Sequence, residues 1–297
     1  MPLSMRQRRL FSMEFMLVLV VIVLVIATLV NLHSSGNAVA RFINPSQEIA
    51  LPPPLPTPLP GIVYYKQTNN KGIQRYAECS DAACASVVLR TLEDAGANSA
   101  IGTNNKMVRA LDNTPLITYW DPSSDKAKVL KCNDAVCLTG FTPYFVEPSS
   151  PSSLAGAIAV LPTGNPVITY QNQDQHLKMA RCANPQCSSM ASTMIVDDNY
   201  LAGDFAAIQI GTDGLPIMTY RQPFASQGND YGKVAHCNDI SCSSATITVV
   251  DTVYNGFNND LIIGADGLPL IVYARSSSLS GPMGVVAYHC GNVSCTS

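Results

Sequence analysis

The chain has 297 residues, a net charge of −3 and ten cysteines, and only 13% of its residues are Asp, Glu, Lys or Arg. That charged fraction is about half the ~25% usual in soluble domains. No basic stripe of the kind that follows phosphates occurs, which argues against nucleic acid as a partner, and low charge with 20 prolines and 19 glycines suits an exported β-protein better than a helical one.

In chain order the first element is an apolar run, residues 15–32, preceded by Arg6, Arg8 and Arg9 and followed by no charge before Arg41. Eighteen residues of helix span ~27 Å, close to the ~30 Å hydrocarbon core. We read residues 1–37 as a cytoplasmic basic stub and a transmembrane signal-anchor helix. The arginines place the N-terminus in the cytoplasm and residues 38–297 extracytoplasmic or at the cell surface, with the membrane as a partner through that helix. Ala38-Val39-Ala40 has the small-residue pattern of a signal-peptidase site, so cleavage is the alternative. Glu14 within Phe11-Ser12-Met13-Glu14-Phe15 resembles the start of a type IV pilin, which implies an assembly subunit. Arg9 and Leu10 stand where a pilin would carry glycine.

Residues 38–43 and 47–51 have the spacing of one strand followed by another. The proline-rich stretch 51–60 then reads as an enlarged loop, with a stiff polyproline stalk as the other reading.

From there the chain repeats. Five C-x4-C pairs recur at intervals of 50 to 55 residues: Cys79/Cys84, Cys132/Cys137, Cys182/Cys187, Cys237/Cys242 and Cys290/Cys295. They use every cysteine, which suits five disulfides formed outside the cytosol. A second motif puts tyrosine four residues after proline: Pro60/Tyr64, Pro115/Tyr119, Pro166/Tyr170, Pro216/Tyr220 and Pro269/Tyr273. Asp112-Asn113, Asp213-Gly214 and Asp266-Gly267 precede three of these prolines and predict two-residue type I′ hairpins. Each unit then reads as four short strands a to d, the outline of a β-propeller blade. The cysteine pairs close rings between strands c and d and fasten those hairpins at one edge of the blades. The last unit ends before a strand d, and residues 38–43 supply one. The predicted fold is all-β, a five-bladed β-propeller of four-stranded antiparallel blades over residues 38–297, preceded by one transmembrane helix. Its N-terminal strand closes the last blade and removes exposed edges.

The slot before the first cysteine holds Glu78, Lys131, Arg181, His236 or His289, a mixture that reads as a solvated strand face and not as metal ligands. The strand-b tyrosines read as packed between blades. With four histidines and no HExxH, GxSxG or Walker loop, no catalytic set, cofactor or metal site is predicted. Asp197, Asp198 and Asp204 lack EF-hand spacing and read as a solvated loop.

Variation concentrates in the b–c and d–a connections, which share one face. The candidate ligand-binding residues there are Trp120, Asp121, His176, Tyr200, Arg221, Phe224, Tyr231, Tyr254, Phe257 and Arg275. Aromatics beside amides and carboxylates suit a glycan or protein ligand. The segments Asp213-Gly-Leu-Pro-Ile-Met-x-Tyr220 and Ala180-x-Cys182-x-Asn184-x-x-Cys187 resemble those of secreted bacterial β-propeller repeat proteins, a likeness over nearly all of residues 38–297 that implies fold and not activity. The expectation is a membrane-anchored binding or scaffold module without enzymatic activity. The alternatives are a sialidase- or glycosidase-like propeller enzyme and the pilin-like subunit.

Overall fold

The structure is a computed structural model that describes residues 59–68, 71–94, 101–148, 152–224, 229–252, 255–276 and 283–297. All of them belong to one compact unit, Pro56–Ser297. They form eighteen antiparallel strands in five sheets and no helix. Among the described residues no helix is long and apolar enough to cross a membrane. The apolar run 15–32, the strands expected at 38–43 and 47–51, and most of the proline-rich stretch lie outside the described residues.

The sheets follow chain order. The first holds β1 (Gly61–Thr68), β2 (Lys71–Cys79) and β3 (Val87–Asp94). The second holds β4 (Thr103–Arg109), β5 (Pro115–Asp121), β6 (Lys126–Cys132) and β7 (Phe141–Phe145). The third holds β8 (Ser152–Val160), β9 (Pro166–Asn172), β10 (Leu177–Cys182) and β11 (Met190–Asp197). The fourth holds β12 (Asp204–Ile210), β13 (Pro216–Phe224), β14 (Asn229–Cys237) and β15 (Ala245–Asp251). The last holds β16 (Asn255–Ile263), β17 (Pro269–Ser276) and β18 (Met283–His289). The three four-stranded sheets are the predicted a–b–c–d units. The first and last show three strands each among the described residues.

The first strands of successive sheets, β4, β8, β12 and β16, pack one against the next. Four apolar clusters fill the gaps between neighbouring sheets. Ile117, Tyr119 and Leu130 meet Tyr76 and Leu92; Ile168 and Tyr170 meet Leu116 and Val129; Met218 and Tyr220 meet Val167 and Met179; Ile271 and Tyr273 meet Ile217 and Val234. Strands β5, β9 and β13 are apolar on both faces because each sheet is covered on both sides.

Four of the five tyrosines after the prolines pack between sheets as predicted, and their hydroxyls donate to a carboxylate at the end of the preceding sheet's outer strand; Tyr64 is half-buried and joins none of these clusters. Tyr119 reaches Glu93, Tyr170 reaches Glu147 at 2.8 Å, Tyr220 reaches Asp197 at 2.7 Å and Tyr273 reaches Asp251 at 2.8 Å. In three cases a lysine directly across the hairpin joins the same carboxylate: Lys128, Lys178 and Lys233. Burial and the facing carboxylate push these phenols far above their ordinary range. A buried hydroxyl and ammonium need this partner, since each would otherwise be left desolvated and unpaired.

The tight turns depart from type I′. Only one central residue has positive φ, Asn113 (67°), Gly164 (88°), Gly214 (81°) or Gly267 (82°), the pattern of a type I turn followed by a left-handed residue. In three of the four turns an aspartate reinforces this geometry. Oδ1 of Asp112, Asp213 and Asp266 accepts the backbone N–H two residues on, at 3.1 Å in each case. That bond holds the aspartate itself in the ordinary right-handed region.

The other carboxylate oxygen corrects the reading of the slot before the first cysteine. Lys131 pairs with Asp112, His236 Nε2 lies 2.9 Å from Asp213, and His289 Nε2 lies 2.8 Å from Asp266. Glu78 pairs instead with Arg109 of the next sheet. Glu78, Lys131 and His236 are buried against these partners, so at those three positions the slot is not a solvated face, whereas His289 is half exposed. The third sheet has Thr163 in the aspartate position, and Arg181 Nε has no hydrogen-bond partner among the described residues.

All five disulfides form as predicted: Cys79 with Cys84, Cys132 with Cys137, Cys182 with Cys187, Cys237 with Cys242, and Cys290 with Cys295. Their Cα–Cα distances are 4.7–4.9 Å, and no described cysteine is free. Two features add to their expected role as fasteners of the c–d hairpins. First, the second cysteines Cys84, Cys137, Cys187, Cys242 and Cys295 belong to no strand, and each takes the left-handed conformation with φ of 54–55°. Such a backbone is uncommon for a residue other than glycine, and it lets the chain turn back within four intervening residues. Second, Cys137, Cys187, Cys242 and Cys295 are buried in the apolar clusters between sheets, so these cystines are part of the core. Cys84 is half-buried and joins none of those clusters, because no described sheet precedes its own.

An Asp or Asn two residues after the first cysteine caps each of these turns: Asp81, Asp134, Asn184, Asp239 and Asn292. At Asp134, slight burial opposes ionisation, but bonds from Thr139, Leu138 and Val136 outweigh it and hold the carboxyl at about 2.

Candidate active site

Antiparallel order sends the first-to-second and third-to-fourth connections of each sheet to the cystine end. The second-to-third and fourth-to-first connections leave the opposite end, which carries the ligand-binding residues predicted from sequence. The fourth sheet gathers the most chemistry there. Arg221, near the end of β13, directs Nη1 to Asp204 Oδ2 at 3.0 Å. Its Nε and Nη2 reach Asp230 Oδ2 at 2.9 and 2.7 Å. Backbone register explains the meeting: Asp204 opens β12 opposite Arg221, and Arg221 faces Gly232 across the β13–β14 hairpin, two residues from Asp230. Both carboxylates thus rest on one guanidinium, and glycoside hydrolysis uses a pair of carboxyl groups ~5–10 Å apart.

Their environments differ. Burial raises the Asp204 carboxyl, the Arg221 charge opposes that rise, and the Asp230 charge adds to it, so the net shift is upward. Two carboxylates around one cation, one displaced toward its protonated form, is the arrangement that separates an acid from a base.

The approach to Asp204 is fixed by Gly203. Its φ is 102°, its N–H donates to the Arg221 carbonyl at 3.3 Å, and an added Cβ would lie 3.1 Å from the Leu177 Cα. Phe205 then takes φ of 51° at a break in strand register between Asp204 and Ala207 and is 40% exposed. Tyr200, 63% exposed, stands in the preceding loop, where its carbonyl accepts Gln222 Nε2 at 3.1 Å.

Of the residues predicted from sequence, Tyr200, Arg221 and Tyr231 therefore belong to one sheet end, Tyr231 within β14 opposite Gln222. Phe224 lies in β13 and Phe257 in β16, while Tyr254 lies outside the described residues. Trp120 packs against the cluster between the second and third sheets, and its Nε1 is buried without a partner among the described residues. Asp121 is buried and accepts bonds from Ser123, Ser124 and Lys128, a loop-holding role. His176 is half-buried, its N–H on Asn172 Oδ1 at 2.8 Å. Arg275 lies in the last sheet with Nε 3.5 Å from Asp251.

Sequence reasoning misses Asp204 and Asp230 as a pair. It groups Asp204 with Asp197 and Asp198 in a solvated loop, yet Asp197 is buried beneath Tyr220 and Lys233 and faces away from solvent. Among the described residues no group of three or more His, Cys, Asp or Glu could hold a metal ion.

No family model matches the chain, and no curated protein matches it. Solved structures do share its fold. A protein of unknown function from Dyadobacter fermentans aligns with TM-score 0.53 and 12% identity over 75% of this chain and 66% of that one. The Penicillium chrysogenum α-L-arabinanase, complexed with arabinobiose, aligns with TM-score 0.55 and 10% identity over 77% of this chain and 71% of that one. The leech intramolecular trans-sialidase aligns with TM-score 0.52 and 16% identity over 73% of this chain but only 36% of its own length. At these identities the likeness is one of fold, and the fold is that of a β-propeller. The expectation of a binding or scaffold module without enzymatic activity meets a correction here: the structures that share the fold include trans-sialidases, an α-L-arabinanase, a β-1,3-galactosidase and an α-L-arabinofuranosidase.

Proposed function

We propose that this chain is a five-bladed β-propeller enzyme that cleaves glycosidic bonds at the Asp204–Arg221–Asp230 site. The observation that carries the reading is the pair of carboxylates on one guanidinium, with the Asp204 carboxyl raised by burial. Asp204 is the proton donor to the leaving oxygen, and Asp230 is the carboxylate that serves as base or nucleophile. Arg221 fixes both, while burial and the Asp230 charge hold Asp204 toward its protonated form against the pull of that cation. Tyr200 and Phe205 offer exposed rings against which a sugar face can rest. The propeller enzymes among the similar structures support the reaction class. Five sheets, each with its own cystine, support five blades, and the disulfides support an extracytoplasmic location.

The test is hydrolysis of aryl glycosides by the wild type, Asp204→Asn and Asp230→Asn. Each variant is expected to lose about 10²-fold or more in kcat. The wild-type rate is expected to fall as pH rises through the raised value of Asp204, and that limb should vanish in Asp204→Asn. Full activity in both variants would reject the assignment.

A further inference from the structure

Resting on the enzyme reading above, we infer that the site takes neutral glycosides and excludes sugars bearing a carboxylate. The strongest recognition of an acidic sugar comes from a guanidinium edge that meets its carboxylate in two parallel hydrogen bonds. Arg221 is the cation at this site, and both of its approaches are already taken. The Nε–Nη2 edge rests on Asp230, and Nη1 rests on Asp204. These contacts are well enclosed, with side-chain exposures of 15% for Arg221, 11% for Asp230 and 21% for Asp204. An incoming carboxylate would have to displace one of the protein's own.

Charge points the same way. Asp204, Asp230 and Arg221 sum to a negative or neutral centre, depending on the Asp204 proton, and Asp198 stands in the adjoining loop. A further anion is repelled where no unpaired cation compensates it. Arg275, the other arginine that ends a second strand at this face, lies in the next sheet against Asp251. Exposed Tyr200 and Phe205 supply apolar faces. Neutral hydroxylated rings match that set. A sialoside does not, although trans-sialidases share the fold.

The test is saturation-transfer NMR on the full chain with arabinobiose and lactose as neutral probes and N-acetylneuraminate and 3′-sialyllactose as acidic ones. At least one neutral probe is expected to bind, and the acidic probes to bind about tenfold more weakly or not at all. In Asp230→Ala, which uncovers the Nε–Nη2 edge, N-acetylneuraminate binding should rise about tenfold or more. Acidic probes bound as tightly as neutral ones by the wild type would overturn the inference, as would failure of every neutral probe to bind. Turnover separates the two readings. Neutral binding without hydrolysis rejects the enzyme and leaves the ligand class standing, whereas sialoside hydrolysis does the reverse.

Discussion

Removing the Asp197 carboxylate tests how neighbouring sheets are fastened. Asp197 ends β11 with its side chain fully buried, accepting the Tyr220 hydroxyl at 2.7 Å and Lys233 Nζ at 2.9 Å. Asp197→Ala leaves a buried ammonium and a buried phenol without a partner. Breaking a buried pair in this way costs about 3–5 kcal/mol, which in a domain of this size lowers the melting temperature by roughly 10 °C. Asp251→Ala is the comparison. Asp251 accepts Tyr273 at 2.8 Å, but Val286 replaces the lysine across from Tyr273, and the nearby Arg275 is 42% exposed. Its loss is expected to cost about 1–2 kcal/mol. Circular dichroism melts with disulfides intact would compare the two. Equal shifts, or an Asp197→Ala loss below about 1 kcal/mol, would refute the idea that the lysine-containing triad carries the interface. Exchanging both partners, as in Asp197→Leu with Lys233→Met, should recover much of the loss, because it removes the charges together.

Other outcomes follow from the same contacts. Bonds from Asn199, Tyr220 and Lys233 outweigh burial and lower the Asp197 carboxyl. Its contribution to stability is therefore present above its unfolded value near ~4 and lost as pH falls through the lower folded value; in Asp197→Asn the acid limb of a stability–pH curve should be shallower. Thiol labelling of unreduced protein should find no free cysteine, and Cys237→Ser with Cys242→Ser should cost about 2 kcal/mol for so short a loop. Gly203→Ala should lose more than about 1 kcal/mol and reduce activity as well, since Gly203 delivers Asp204; an unchanged melting temperature and rate would count against that role. The proposed closure of the last sheet by residues 38–43 predicts a strongly lowered melting temperature on their deletion, and an unchanged one would argue against it.

The repeat is legible in the sequence because its signals are local and copied. Paired cysteines with four residues between them, a proline four before a tyrosine and an Asp-Gly turn each mark a hairpin wherever they occur, and the copies reinforce one another. What the cysteine spacing does not show is that Cys137, Cys187, Cys242 and Cys295 face the neighbouring sheets, whereas Cys84 has no such cover. That difference depends on which sheets pack together, not on the spacing itself. The carboxylates that receive the tyrosines are not legible either, since Asp197 lies 23 residues from Tyr220 and 36 from Lys233. The same distance in sequence hides the candidate site. Arg221 is singled out by its loop, but that it meets Asp204 and Asp230 depends on register across two hairpins and on the break in β12. Trp120 misleads for the opposite reason. As the chain's one tryptophan it stands out on a predicted loop face, yet it is a strand residue turned toward the neighbouring sheet.

The most direct test of the central claim is mass spectrometry of a broad glycan panel incubated with wild type, Asp204→Asn and Asp230→Asn. The account predicts that the wild type shortens at least one neutral glycan and that both variants leave it intact. An intact panel under wild type, or cleavage that persists in both variants, would contradict it.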